Sequence, residues 1–134
     1  MAYPQPKVYV AFDDGPYVLS PTWTEITTSV RSMSIDRGRS DDWGTFSGSA
    51  TVVLNNRARL FDPFYTSGTY YGKLLPRRQI KIEATYASTT YSVFRGFIDG
   101  WPPTWTDAGG DSTVTLSCYD AMQLLAQVQL PADW

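Results

Sequence analysis

Gly48–Arg78, GSATVVLNNRARLFDPFYTSGTYYGKLLPRR, is the stretch on which the reading of this chain turns. It opens as a strand. Ala50, Val52 and Leu54 share one face while Thr51 and Val53 share the other, the period-two pattern of a half-buried β-element. Asn55-Asn56 then stops it, because Asn tolerates positive φ and bonds nearby backbone through its side chain. The segment that follows holds five large aromatics, Phe61, Phe64, Tyr65, Tyr70 and Tyr71. Pro63 keeps Asp62 out of helical conformation, Gly68 and Gly72 punctuate the run, and Pro76 closes it before Arg77-Arg78. A loop of this length inside a small domain is either functional or disordered, and this aromatic content argues against disorder. The expectation is an ordered arm over 55–78, packed on its own domain or on a neighbour.

On either side of the arm the chain reads as strands. Lys7–Phe12 alternates with Val8, Val10 and Phe12 inward, and Asp13-Asp14-Gly15-Pro16 is a turn. Trp23–Thr27 is extended, with Trp23 half-buried. Val30–Asp36 reads as a strand in which Arg31, Met33 and Ile35 share a face and Val30 points the other way. After the arm, Gln79–Tyr86 is the clearest strand, with Ile80, Ile82, Ala84 and Tyr86 facing in and Lys81, Glu83 and Thr85 facing out. A short connection at 87–90 returns the chain antiparallel through Tyr91–Gly100. Gly96 in mid-strand implies a bulge or a close backbone approach. Trp101–Trp105 is a Pro-stiffened extended linker, 107–111 a turn, and Ser112–Cys118 a further strand. From Asp120 the period changes: Met122, Leu124, Leu125 and Val128 recur at helical spacing, and Asp120 with Gln123 forms an N-terminal cap. The fold class is mainly β, an antiparallel barrel or sandwich of six to seven strands with one short C-terminal α-helix at about 120–129. The expected core is Val8, Val10, Phe12, Val52, Leu54, Ile80, Ile82, Val114, Leu116 and Leu125.

A chain of 134 residues makes one domain with a sizeable core. Charged residues make up only 18%, which suits strands with hydroxyl-bearing outer faces and a surface that partners cover. The formal charge of −2 disfavours nucleic-acid binding through a basic surface. Cys118 alone allows no internal disulfide and sits in a strand pattern, so a buried, inert thiol is expected. The absence of His removes the commonest general base and metal ligand. No apolar run is long enough for a membrane span.

Candidate chemistry is sparse. The pairs Asp13/Asp14, Asp41/Asp42 and Asp107/Asp111 all fall in turns, where Asp is favoured structurally. No catalytic motif, cofactor site or cation-binding spacing is present in the sequence, so the expectation is a protein that is not an enzyme. Trp43, Trp101 and Trp105 fall off clear inward positions and could either stack on sugar rings or cover the barrel ends. In the 37–48 loop, Arg37 and Arg39 could meet Asp residues of a neighbouring copy, and Asp41 and Asp42 its Arg residues. Such pairs set register more than affinity.

Several segments in order form a further pattern: WTEIT at 23–27, Arg37-Gly38-Arg39, GSATVVLNN at 48–56, Phe61-Asp62-Pro63, YGKLLPRR at 71–78, VFRGFIDGW at 93–101 and Tyr119-Asp120-Ala121. Over residues 7–130 the chain resembles the N-terminal domain of minor tail proteins of long-tailed bacteriophages, a domain similar to the tail-tube and baseplate-hub β-barrel family. The resemblance implies a virion structural protein, made in the host cytoplasm, whose three- or six-fold ring joins other tail proteins around a channel that DNA passes only as cargo. It also implies that Arg37, Arg39, Asp41, Asp42 and Trp43 in the loop, and Arg57, Arg59, Phe61, Phe64, Tyr65, Tyr70 and Tyr71 in the arm, make subunit contacts. Phe61→Ala or Tyr71→Ala would then weaken assembly more than folding. A carbohydrate-binding β-sandwich for host-surface glycans is the alternative.

Overall fold

A computed structural model describes residues 3–36, 48–107 and 109–126. Its strands are β1 (Gln5–Val10), β2 (Thr24–Glu25), β3 (Val30–Asp36), β4 (Ser49–Asn55), β5 (Gln79–Tyr86), β6 (Thr89–Ile98), β7 (Pro103–Trp105) and β8 (Ser112–Tyr119), followed by helix α1 (Ala121–Ala126). All pairings are antiparallel, in the order β2-β1-β5-β6-β8-β4-β3, with β7 added beside β8. The expected mainly β antiparallel fold with one short helix is therefore observed, and its eight strands form a barrel-like or sandwich-like sheet.

The sheet bends at β8. This strand pairs with β4 along its length, from Ser49↔Tyr119 to Asn55↔Thr113. On its other side it meets β6 only at Phe97↔Tyr119 and Ile98↔Cys118, then β7 from Pro103↔Val114 to Trp105↔Ser112. So thin a junction lets the halves fold over a shared core. Val8, Val10, Ile80, Ile82, Phe94 and Ile98 come from one half, and Ala50, Val52, Leu54, Val114, Leu116 and Cys118 from the other. Each set occupies alternate positions of its strand, so period-two patterning carries directly into burial. The hydrophobic effect at these sites, roughly 1.5–3 kcal/mol per fully buried aliphatic side chain, dominates the fold's stabilisation.

Two sequence expectations for the strands change. Pro103–Trp105 is a paired strand, not a free linker, because β8 leaves its N-terminal half open where β6 departs. Val30 packs against the core together with Met33 and Ile35. The register shifts between Val30↔Leu54 and Ser32↔Val53, so Arg31 is the extra residue of a bulge and reverses the parity of the strand start. Of the two readings of Gly96, the close backbone approach holds: a Cβ there would collide with the Tyr119 carbonyl, and close strand crossing requires its bare backbone. The irregularity of that hairpin sits at Ile82/Glu83, where Ile82 faces Phe94 and Glu83 faces Ser92.

Leu125 is no core residue. It is exposed on α1, as is Met122, so the described part of this helix turns apolar side chains to solvent. Its start is as expected: Asp120 Oδ1 accepts from the Gln123 amide at 3.2 Å. Asp120 Oδ2 also accepts from the Gly48 amide at 2.5 Å, tying the helix start to the start of β4. The remainder of the expected 120–129 helix lies outside the described residues.

Candidate assembly surface

The arm begins with a buried polar residue. Asn56 is fully enclosed; its Oδ1 accepts from the Phe61 amide at 2.9 Å, and its Nδ2 donates to Ser112 Oγ at 3.2 Å. Its own amide donates to the Ser112 carbonyl at 2.9 Å. Every polar group of this side chain facing the interior is matched, which is the condition for burying an amide without a net penalty. The chain then descends through successive tight turns, with Arg59 in the left-handed region at φ 57°.

Phe61 enters the core. Its ring lies 5.8 Å from Tyr70 and 6.1 Å from Trp101, while Phe12 stacks on Tyr70 at 4.0 Å and on Trp101 at 5.8 Å. These four rings close a circuit under the arm, and the Trp101 indole N–H donates to the Leu75 carbonyl at 3.0 Å. Phe61 is thus enclosed by its own chain and Tyr70 is half-buried. A fully enclosed ring has no surface to offer a neighbour, which corrects the expectation that Phe61 makes a subunit contact. Phe64 and Tyr71 point outward, at 81% and 51% exposure. Tyr65 is intermediate, with the Arg59 guanidinium 4.5 Å above its ring.

Arg57 and Arg59 of the arm are held within the chain. Arg59 donates through Nε and Nη2 to Asp62 Oδ2, at 3.0 and 2.9 Å, while the Phe64 amide donates to Asp62 Oδ1 at 3.0 Å. Asp62 is buried and this pairing compensates its charge. Arg57 Nε donates to Asp111 Oδ1 at 2.8 Å, and Arg31 reaches both Asp111 oxygens at 3.0 and 2.6 Å. The Arg31 and Arg57 hydrogen bonds hold the Asp111 carboxyl well below the usual carboxylate range. One turn aspartate thus joins the β3 bulge, the arm and the β8 entrance. Linear spacing does not signal this node, because Asp111 lies 54 and 80 residues from its two arginine partners.

Arg37, Arg39, Asp41, Asp42 and Trp43 lie outside the described residues. Of the proposed sugar-stacking tryptophans, Trp101 is buried, correcting that candidacy, and Trp105 is 43% exposed. Trp23 is half-buried over the sheet, 5.0 Å from Lys81 Nζ and 5.5 Å from the Arg95 guanidinium carbon. Cys118 is buried, and burial pushes its thiol up to about 12, leaving negligible thiolate at neutral pH. Among the described residues, no three His, Cys, Asp or Glu side chains group as a metal site, and no helix is long and apolar enough to cross a membrane.

A second apolar surface lies beside the sheet. Tyr17 and Leu19 are 73% and 91% exposed, yet their loop is fastened from below. The buried Gln79 donates through Nε2 to the carbonyls of Gly15 and Val18 at 3.0 and 2.8 Å, and Arg78 Nη1 donates to the Asp14 carbonyl at 2.8 Å. This loop, with Arg95, Phe97 and Ala121, borders an open groove of about 500 Å³. The sequence shows no signal for it: the turn read there ends at Pro16, and Tyr17–Leu19 carries no periodic pattern. No protein-family model matches the chain, and no curated protein matches it.

Proposed function

We propose that this chain is a non-enzymatic structural protein of a long-tailed bacteriophage tail tip or baseplate hub, forming or joining a ring that continues the tail-tube channel. The observation that supports the reading best is the arm's geometry. Its base is locked by Asn56, Phe61 and Asp62, while Phe64 and Tyr71 are held outward. Ordered, solvent-facing aromatics on a fixed backbone lose little entropy on docking, which suits permanent protein contacts. The fastened loop at Tyr17–Leu19 supports the same reading from another face. An acidic chain also suits a channel through which DNA slides, because a basic lining would hold phosphates.

The test is native mass spectrometry and negative-stain imaging of the purified protein, alone and with tail-tube protein. Rings are expected once tail-tube protein is added, with assembly weakened by Phe64→Ala and Tyr71→Ala at unchanged unfolding midpoint. A particle that forms no ring and joins no tail structure overturns the proposal. The sugar-binding alternative now rests on Trp105 among the described candidates; glycan-array binding abolished by Trp105→Ala would replace the tail reading.

A further inference from the structure

Beyond the packed core, β1, β5 and β6 continue as a three-stranded tongue. Gln5–Lys7, Tyr86 and Thr89–Ser92 are all exposed there, so the tongue is held chiefly by its own ladders. Its two outer edges differ in chemistry. On β1, Val8 turns its amide and carbonyl outward, to Thr27 Oγ1 at 3.0 Å and from the Ile26 amide at 2.9 Å. Two residues earlier, the same side of the strand belongs to Pro6, which has no N–H to donate. A proline at that position blunts an edge against pairing.

The β6 edge carries no such guard. Thr89-Thr90-Tyr91-Ser92-Val93-Phe94 is uncharged, free of proline and glycine, and rich in β-branched and aromatic residues, the composition that pairs strands most readily. Among the described residues, no strand other than β5 pairs with β6 before Phe97. The two-residue turn at Ala87-Ser88 makes Tyr86↔Thr89 a bonded pair, and the alternation makes Ala84↔Tyr91 the next. The backbone groups of Thr90 and Ser92 therefore point away from β5.

We propose that two copies of this chain pair their β6 edges antiparallel about a two-fold axis at Tyr91, joining two tongues into one six-stranded ribbon. In this register Thr90 of each copy faces Ser92 of the other, so the outward backbone groups meet as bonded pairs. Thr89 faces Val93, and Tyr91 faces Tyr91. Each opposed pair lies on one face of the sheet, and the register ends where the irregularity beside Val93 changes parity. No like charges oppose each other; the nearest, Arg95, lies beyond the paired stretch. The second copy is favoured as occupant because this edge is complementary to itself. The Pro6 edge cannot receive it, and the outer edge of β3 is broken by the bulge at Arg31. A two-fold contact also closes on itself, covering an aggregation-prone edge without building a fibre. The pairing goes beyond the tail reading and stands independently of it.

The test is light scattering with size-exclusion chromatography across a concentration series. Wild type should approach twice the monomer mass as concentration rises. Tyr91→Lys and Tyr91→Glu should each be monomeric, since like charges then meet at the axis, and their equimolar mixture should recover the dimer. Tyr86→Lys, on the neighbouring strand but off the edge, should dimerise as wild type does. A wild type that stays monomeric, one that passes directly to larger species, or a mixture without recovery overturns the proposal. A failure to form rings with a dimer present would count against the tail reading alone.

Discussion

The arm and the tongue are opposite solutions to leaving the core. The arm has no strand, yet Phe61, Tyr70 and Leu74 pack against the core and Asn56 is enclosed beneath them. The tongue is regular strand on both sides of its turn, yet its end buries little. Backbone regularity and tertiary anchoring are thus separable. Hydrogen-bond ladders can hold a segment's shape while apolar burial supplies most of the free energy.

Breaking the arm should cost most. Phe61→Ala removes a ring from the four-membered stack and should destabilise the domain by about 3–5 kcal/mol in urea unfolding. A change below ~1 kcal/mol would mean that the arm is only loosely docked. Asn56→Ala should follow at about 1–3 kcal/mol, because the Phe61 amide and the Ser112 hydroxyl both lose their partner.

Asp111→Asn sharpens the comparison through pH. The Asp111 pKa is depressed in the fold, so its stabilising contribution is complete above its ordinary value of 3.8 and declines as pH falls below it. The variant should melt earlier than wild type near neutrality, and the gap should narrow as pH is lowered through and beneath 3.8. A gap that stays constant down to acid unfolding would remove the carboxylate from the explanation.

The tongue should respond in the opposite direction and by less. Its turn residues Ala87 and Ser88 both sit at positive φ, 49° and 65°, where side chains are disfavoured. Ser88→Gly should raise stability by up to about 1 kcal/mol, read as a higher urea midpoint. Smallest of all, Phe64→Ala and Tyr71→Ala on the arm's outer side should change monomer stability by less than ~0.5 kcal/mol. Larger losses would make those side chains part of the fold instead of its surface.

The strands of the sheet were legible because alternation of apolar and polar residues is a local property: Val8/Val10, Val52/Leu54, Ile80/Ile82 and Val114/Leu116 are all buried as read. The arm's existence was legible too, through Asn55-Asn56, Pro63 and its aromatics. Which aromatic faced inward was not. Phe61 and Phe64 are three residues apart in irregular backbone, where no period assigns a face, and only the tight turns after Asn56 separate them. Val30 departs from the alternation because a single bulge residue inverts parity and leaves no trace in composition.

The order of residues alone determined that this is an antiparallel β domain with a capped helix start and an ordered aromatic crossover, since each depends on neighbours along the chain. Tertiary structure decided the rest: the Arg31–Asp111–Arg57 node, the fastening of Tyr17–Leu19 by Gln79, and the enclosure of Trp101. Those depend on groups far apart along the chain, brought together where long-range packing selects among arrangements that local preference leaves nearly equal.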